Sequence, residues 1–181
     1  TAFAGRVTML AEEIDEDEWG QIMQLIDKAT EKFITFREQE GVSLFEDFNL
    51  RIDNIESCTK QVVPFEKERT QGVRDRIETL FSEFTDKEHL DSNRMEQEMI
   101  YYLEKLDITE ERVRLANHLS YFRDTLNNGK SQGKKLGFIG QEIGREINTM
   151  GSKANHSEIQ KLVVHMKDEL EKIKEQVLNA L

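Results

Sequence analysis

Asp107, Glu111, Arg114 and His118 stand at i, i+4, i+7 and i+11 within DITEERVRLANH, residues 107–118. On a helix that spacing puts them on one narrow stripe beside an apolar one. Two carboxylates and an imidazole are ligand types that suit Mn²⁺ or Mg²⁺ with some waters retained. Arg114 in the same stripe can stabilise a phosphate, or it can neutralise the two acids with no metal present. A ligand pair one turn apart is a weak signal by itself, so both readings stand. A second acid-bearing block, NRMEQE at 93–98, sets Arg94 and Glu98 one turn apart, which also reads as a surface ion pair.

The segment GKKLGFIGQEIGREINTMGSK, residues 133–153, carries a different set. Leu136, Ile139, Ile143, Ile147 and Met150 form one face of a helix, with Gln141, Glu142, Arg145, Asn148 and Ser152 opposite. Gly140, Gly144, Asn148, Thr149 and Gly151 are poor helix formers, and their presence predicts a face that is satisfied by a partner rather than by water. Amide, guanidinium and hydroxyl groups, with Lys153 just beyond, contact phosphates, sugar hydroxyls and base edges. Buried between helices of an oligomer, the same groups would pair with one another. From Lys130 to Lys153 five cations face two acids, in a chain whose net charge is −11.

That overall charge argues against indiscriminate nucleic-acid binding, and no DNA partner is expected. Of its 181 residues 37% are hydrophobic and 34% charged, a helix-rich mix without β-branched clusters. One cysteine, Cys58, excludes an internal disulfide and suits a reducing, cytoplasmic compartment. No signal peptide is expected, and no apolar run is long enough to span a membrane. Walker, dinucleotide, zinc and serine-nucleophile motifs are also missing. Phosphodiester chemistry by a metal-held water, or no chemistry, are the options left.

The elements that must position these residues read as helices throughout. Ile22, Leu25, Ile26, Ala29 and Phe33 predict a helix over about 18–40, ended by Gly41. Leu44, Phe48, Ile52 and Ile55 predict a second from Ser43, with a kink permitted at Pro64 and the pattern resuming at Val73, Ile77, Leu80 and Phe84. Met95, Met99, Tyr102 and Leu106 form one further stripe, and Ile108, Leu115, Leu119, Phe122 and Leu126 another. The last helix carries a heptad seam of Ile159, Val163, Met166, Leu170, Ile173, Val177 and Ala180. The expected fold is all-α: an elongated bundle of long antiparallel helices with a coiled-coil-like C-terminal helix. Residues 1–18 read as the tail of something upstream, 19–128 as a helical arm and bundle, and 129–181 as a C-terminal helical region.

Trp19, FREQEGVSLFEDF at 36–48, NRMEQE, DITEERVRLANH and the 133–153 block, with its QExxREIxTxxSK core at 141–153, occur in an order that resembles the YicC/YloC family of bacterial endoribonucleases, once described only as stress-induced proteins. The resemblance spans residues 19–181. It implies RNA cleavage with a divalent metal, Mn²⁺ favoured and Mg²⁺ possible, in a ring-shaped homohexamer able to enclose RNA. It also implies an N-terminal domain of mixed strands and helices that is mostly absent here. Glu98, Asp107, Glu110, Glu111 and His118 are then the metal set, with Glu111, His118 and Arg114 catalytic. Gln141, Glu142, Arg145, Asn148, Ser152 and Lys153 are the RNA-binding set, with Glu146 beside them. The sequence departs from the family pattern at Gly137, where an Asp is usual. Two functions follow as expectations: a metal-dependent endoribonuclease, or a non-catalytic all-α oligomerisation and RNA-docking scaffold whose catalytic groups lie in the missing segment.

Overall fold

The computed structural model describes residues 15–84, 92–128 and 132–178, the side chains at 80–84, 92–95 and 98 excepted. Five helices follow one another: α1 (Glu16–Phe84), α2 (Ser92–Leu106), α3 (Thr109–Asn127), α4 (Gly133–Lys153) and α5 (Ser157–Val177). The fold is all-α, with no strand among the described residues. The chain forms two compact units, Thr1–Val42 and Ser43–Leu181.

In the first unit every described residue of α1 is exposed, including Trp19, Ile22, Ile26, Phe33 and Phe36. These recur at three-, four- and seven-residue steps and so form one apolar stripe. Helix α1 does not end at Gly41 as its composition suggests. A glycine that keeps helical dihedrals costs only about 1 kcal/mol relative to alanine, which a long helix absorbs. Pro64 is likewise inside α1 and is exposed. There the carbonyl it leaves without an amide donor belongs to the exposed Lys60, on the side away from the core.

The second unit is held by one core. α1 contributes Phe48, Ile52, Ile55, Cys58 and Val62, and α3 contributes Leu115, Leu119 and Phe122, with Ile108 just before it. α4 contributes Leu136, Ile139, Ile143, Ile147 and Met150, all five of its predicted apolar positions. The predicted seam of α5 is buried from Ile159 to Val177, while Ala180 lies outside the described residues. Each such side chain adds about 1.5–3 kcal/mol when removed from water. The rings of Phe48 and Phe122 meet edge to face at 5.8 Å and join α1 to α3. In α2, Tyr102 is exposed instead of lying on a buried stripe, and it meets Tyr101 edge to face.

Three glycines of α4 have a packing explanation. A Cβ on Gly151 would lie 2.9 Å from Val163 Cγ1, one on Gly144 would lie 3.1 Å from Leu170 Cδ2, and one on Gly137 would lie 3.6 Å from Val177 Cγ1. Spaced by seven, the three therefore form the line along which α4 and α5 approach most closely, running antiparallel. The expectation that a partner molecule explains these glycines is corrected for Gly144 and Gly151: the neighbour is α5 of the same chain. The α5 seam is covered in the same way, so its heptads need no second copy.

Polar groups lock the core's margin. Glu169 of α5 is buried and accepts from Arg51 at 3.2 Å, Asn54 at 3.0 Å and Lys172 at 2.5 Å. Burial pushes its carboxyl up, but the hydrogen bonds from Asn54, Lys172 and Arg51 outweigh that and hold it at about 2. Arg123 of α3 pairs with both Asp53 and Glu56 of α1. Cys58 is a buried free thiol, pushed up by burial and by Glu169.

Candidate functional site

α3 and α4 are antiparallel neighbours. Tyr121, late in α3, meets Lys135, early in α4, while Glu111 at the start of α3 meets Lys153 at the end of α4. The two polar stripes read from sequence thus come from adjacent helices. On α3, Arg114 and Tyr121 are exposed and His118 half-buried, and helical periodicity sets all three on the flank that Glu111 and Tyr121 turn toward α4. On α4, Lys134, Phe138, Gln141, Glu142, Arg145, Asn148 and Ser152 are all exposed. Arg145 lies 3.6 Å from Glu142 across one turn, and Ser152 donates to the Thr149 carbonyl at 2.9 Å. Glu146, by contrast, is buried.

The acid stripe is less uniform than its spacing suggests. Glu111 is only 5% exposed. Its Oε1 takes the Lys153 ammonium at 2.7 Å, and its Oε2 is buried without a hydrogen-bond partner. Arg114 pairs at 2.5 Å with the exposed Glu110, not with Asp107 or Glu111. Lys153 is the compensating cation, and it also donates to the Asp107 carbonyl at 3.1 Å. It therefore turns toward α3, away from the outward stripe of α4.

Asp107 lies in the short link between α2 and α3. Its Oδ1 accepts from Thr109 Oγ1 at 2.7 Å and from Thr109 N at 2.9 Å, the local turn that lets α3 begin. The Thr109 hydroxyl, against a smaller opposing effect of burial, holds its carboxyl below the usual range, helped by the Thr109 amide, Lys153 and Arg69. The side chain of Glu98 lies outside the described residues, as do those of Asn93 and Arg94.

Sequence reasoning missed the residue that holds this corner together. Arg69 of α1 is buried and donates to the Leu106 carbonyl at 2.5 Å and to the Lys153 carbonyl at 3.2 Å. Those carbonyls end α2 and α4, where a helix leaves acceptors unsatisfied and favours a cation. Burial pulls its pKa down, opposed by Glu66 and Asp107. The available signal was positional: Arg69 continues the apolar spacing of Phe48, Ile55 and Val62 at the next seven-residue step. Beside it opens a cavity of about 610 Å³, lined among others by Glu66, Arg74, Glu104, Asp107 and Arg112. Arg112 Nε lies 3.5 Å from Glu66 Oε2.

As candidate metal ligands these groups fit only in part. Glu111 Oε2 is a buried carboxylate oxygen with no donor, but the Lys153 ammonium already holds the other oxygen. Among the described residues no group of three or more His, Cys, Asp or Glu side chains stands close enough to hold an ion. Gly137, where the family pattern has an acid, faces Val177 of α5.

A family model described as "Endoribonuclease YicC-like, C-terminal" matches residues 62–180, a stretch that includes every site residue above. This chain belongs to that family. It is 36% identical over 172 residues to a "Probable endoribonuclease YicC" of Clostridioides difficile, covering 93% of this chain and 59% of that protein. A protein of the same description in Haemophilus influenzae is 34% identical over 171 residues, covering 93% of this chain and 58% of the relative. The chain thus spans somewhat under two thirds of the length of these curated relatives. None of its described helices is long and apolar enough to cross a membrane.

Proposed function

We propose that this chain is the helical, RNA-holding part of a metal-dependent endoribonuclease, and that RNA lies along the α3–α4 face. The observation that carries the reading is the antiparallel pairing of α3 with α4, which sets Arg114 and His118 beside the outward stripe Gln141, Glu142, Arg145, Asn148 and Ser152. Such a face offers guanidinium groups to phosphates and amide or hydroxyl groups to sugar and base edges. The names of the relatives, probable endoribonucleases, supply the reaction class. Mn²⁺, or Mg²⁺ in its place, is the proposed cofactor, with Glu111 Oε2 as the group best suited to meet it. The remaining ligands would come from the longer protein or from another copy. A divalent ion supplies charge neutralisation at a phosphoryl oxygen and an activated oxygen nucleophile. The chain's own arginines, Arg114 and Arg145, neutralise and orient the phosphate.

Labelled RNA incubated with this chain and with a version of the relatives' full length, each with and without Mn²⁺, tests the reading. Cleavage by the longer protein that needs Mn²⁺ and falls on Glu111→Ala or His118→Ala is the expected result. No cleavage by either would overturn it. The scaffold reading is favoured by one observation, the closed Glu111–Lys153 pair. It predicts RNA retention by this chain and full cleavage by the longer protein carrying Glu111→Ala.

The proposal includes assembly into a homo-oligomer, a hexamer in the cytoplasm. The exposed stripe of Trp19, Ile22, Ile26, Phe33 and Phe36 supports it, because solvent-facing apolar patches of that kind mark interaction surfaces. Light scattering that returned 21.2 kDa would assign this chain as a monomer.

A further inference from the structure

We infer that Phe138, with Tyr121 and Lys135 beside it, is a stacking platform for unpaired RNA bases. The inference rests on the reading of the chain as the RNA-holding part of an endoribonuclease and names the kind of RNA that part takes: single-stranded.

Phe138 is the anomaly of α4. Leu136, Ile139, Ile143, Ile147 and Met150 are all buried, while the Phe138 ring is 58% exposed. It stands in the middle of the polar stripe, with Lys134 one turn before it, Gln141 one turn after and Arg145 a further turn on. Tyr121 on the neighbouring helix is 48% exposed, and Lys135 Nζ lies 4.7 Å from its ring centroid. Two open aromatic rings therefore stand on adjacent helices, with Lys134, Lys135 and Arg145 on the α4 side and Glu142, which pairs with Arg145, as the acid among them, on a chain whose net charge is −11.

That combination fits one kind of ligand better than others. Cations at intervals along the stripe follow a phosphate backbone, and an aromatic face between them takes a base, because every base has a π-face. A duplex hides its base faces in the stack and offers this helix only phosphates, so the rings would add nothing. A strand with free bases uses both. Each stacked base contributes about 1–3 kcal/mol, which corresponds to roughly 5- to 140-fold in affinity. The cation over Tyr121 holds that ring in place and supplies a charge for the adjacent phosphate.

The test is fluorescence anisotropy of the 181-residue chain, in chelator, with three labelled probes. They are a short single-stranded RNA, the same strand made abasic, and the corresponding duplex. The expected result is that Phe138→Ala weakens the base-containing strand about tenfold and leaves the abasic strand unchanged. Phe138→Trp should restore binding, Tyr121→Ala should act in the same direction as Phe138→Ala, and Lys134→Gln should weaken both strands. Equal loss on the two strands with Phe138→Ala, or no loss on either, overturns the platform while leaving RNA binding standing. A Phe138→Ala variant whose mass by light scattering falls to that of the monomer assigns the ring to contact with a second copy and overturns the platform as well. Failure of the unaltered chain to hold any of the probes overturns the RNA reading itself and the platform with it.

Discussion

Lys153 Nζ lies 2.7 Å from Glu111 Oε1, joining the end of α4 to the start of α3. Glu111 is buried and its second oxygen has no donor, so the lysine is the partner that compensates it there. Removing only one member of such a pair is the costly change. Lys153→Met should destabilise the fold by about 3 kcal/mol in urea titration, while Lys153→Met combined with Glu111→Leu should recover most of that loss. A single variant that shifts stability by no more than about 0.5 kcal/mol, as an ordinary surface substitution does, would show that another group compensates Glu111.

Acid should attack the molecule at Glu169. Its folded carboxyl is held at about 2, below its ordinary 4.5. A depressed folded pKa means stability that is complete above the unfolded value and is lost as pH falls through the folded one. The loss should run from about pH 4.5 down to about pH 2 and amount to at most about 3 kcal/mol. Asp107 and Glu56, also held low, act in the same direction. Urea midpoints measured across this range should fall for the unaltered chain and fall less steeply for Glu169→Gln. Parallel slopes would remove Glu169 from the account.

The glycines of α4 should separate by position. A methyl at Gly140 meets nothing within 4 Å, so Gly140→Ala should gain the helix-propensity difference of about 0.5–1 kcal/mol. At Gly151 the same methyl would stand 2.9 Å from Val163 Cγ1, and a β-branched side chain in a helix has little freedom to turn aside. Gly151→Ala should therefore lower the melting temperature while Gly140→Ala raises it. Equal shifts would mean that α4 and α5 can separate at no cost.

Periodicity made the buried faces of α3, α4 and α5 legible, because one helix and one core suffice to explain residues such as Ile143 or Met166. It could not show what a polar residue faces. Gly144 and Gly151 looked like positions kept open for a ligand, yet the space they leave is filled by Leu170 and Val163 of the next helix. Glu111 looked like one member of a uniform acid stripe, but it is buried within α3, while Asp107 lies exposed in the link before that helix. Spacing left open whether Arg114 serves a phosphate or the stripe's acids, and it could not show that Glu110, one turn behind in the same helix, is the acid it pairs with. Gly41 read as a helix end, since local cost is all that sequence reveals, while neighbouring turns carry α1 through it.

Arg69 holds the last carbonyl of α2 and the last carbonyl of α4 with one guanidinium. Neither helix end can therefore fray alone: releasing one frees the hand that holds the other. Amide hydrogens near Leu106 and near Lys153, far apart in sequence, should exchange with solvent at matched rates, as members of a single opening unit. The corner where the α3–α4 face begins is in that sense one hinge-free block, and whatever loosens α2 will be felt at Lys153 and through it at Glu111.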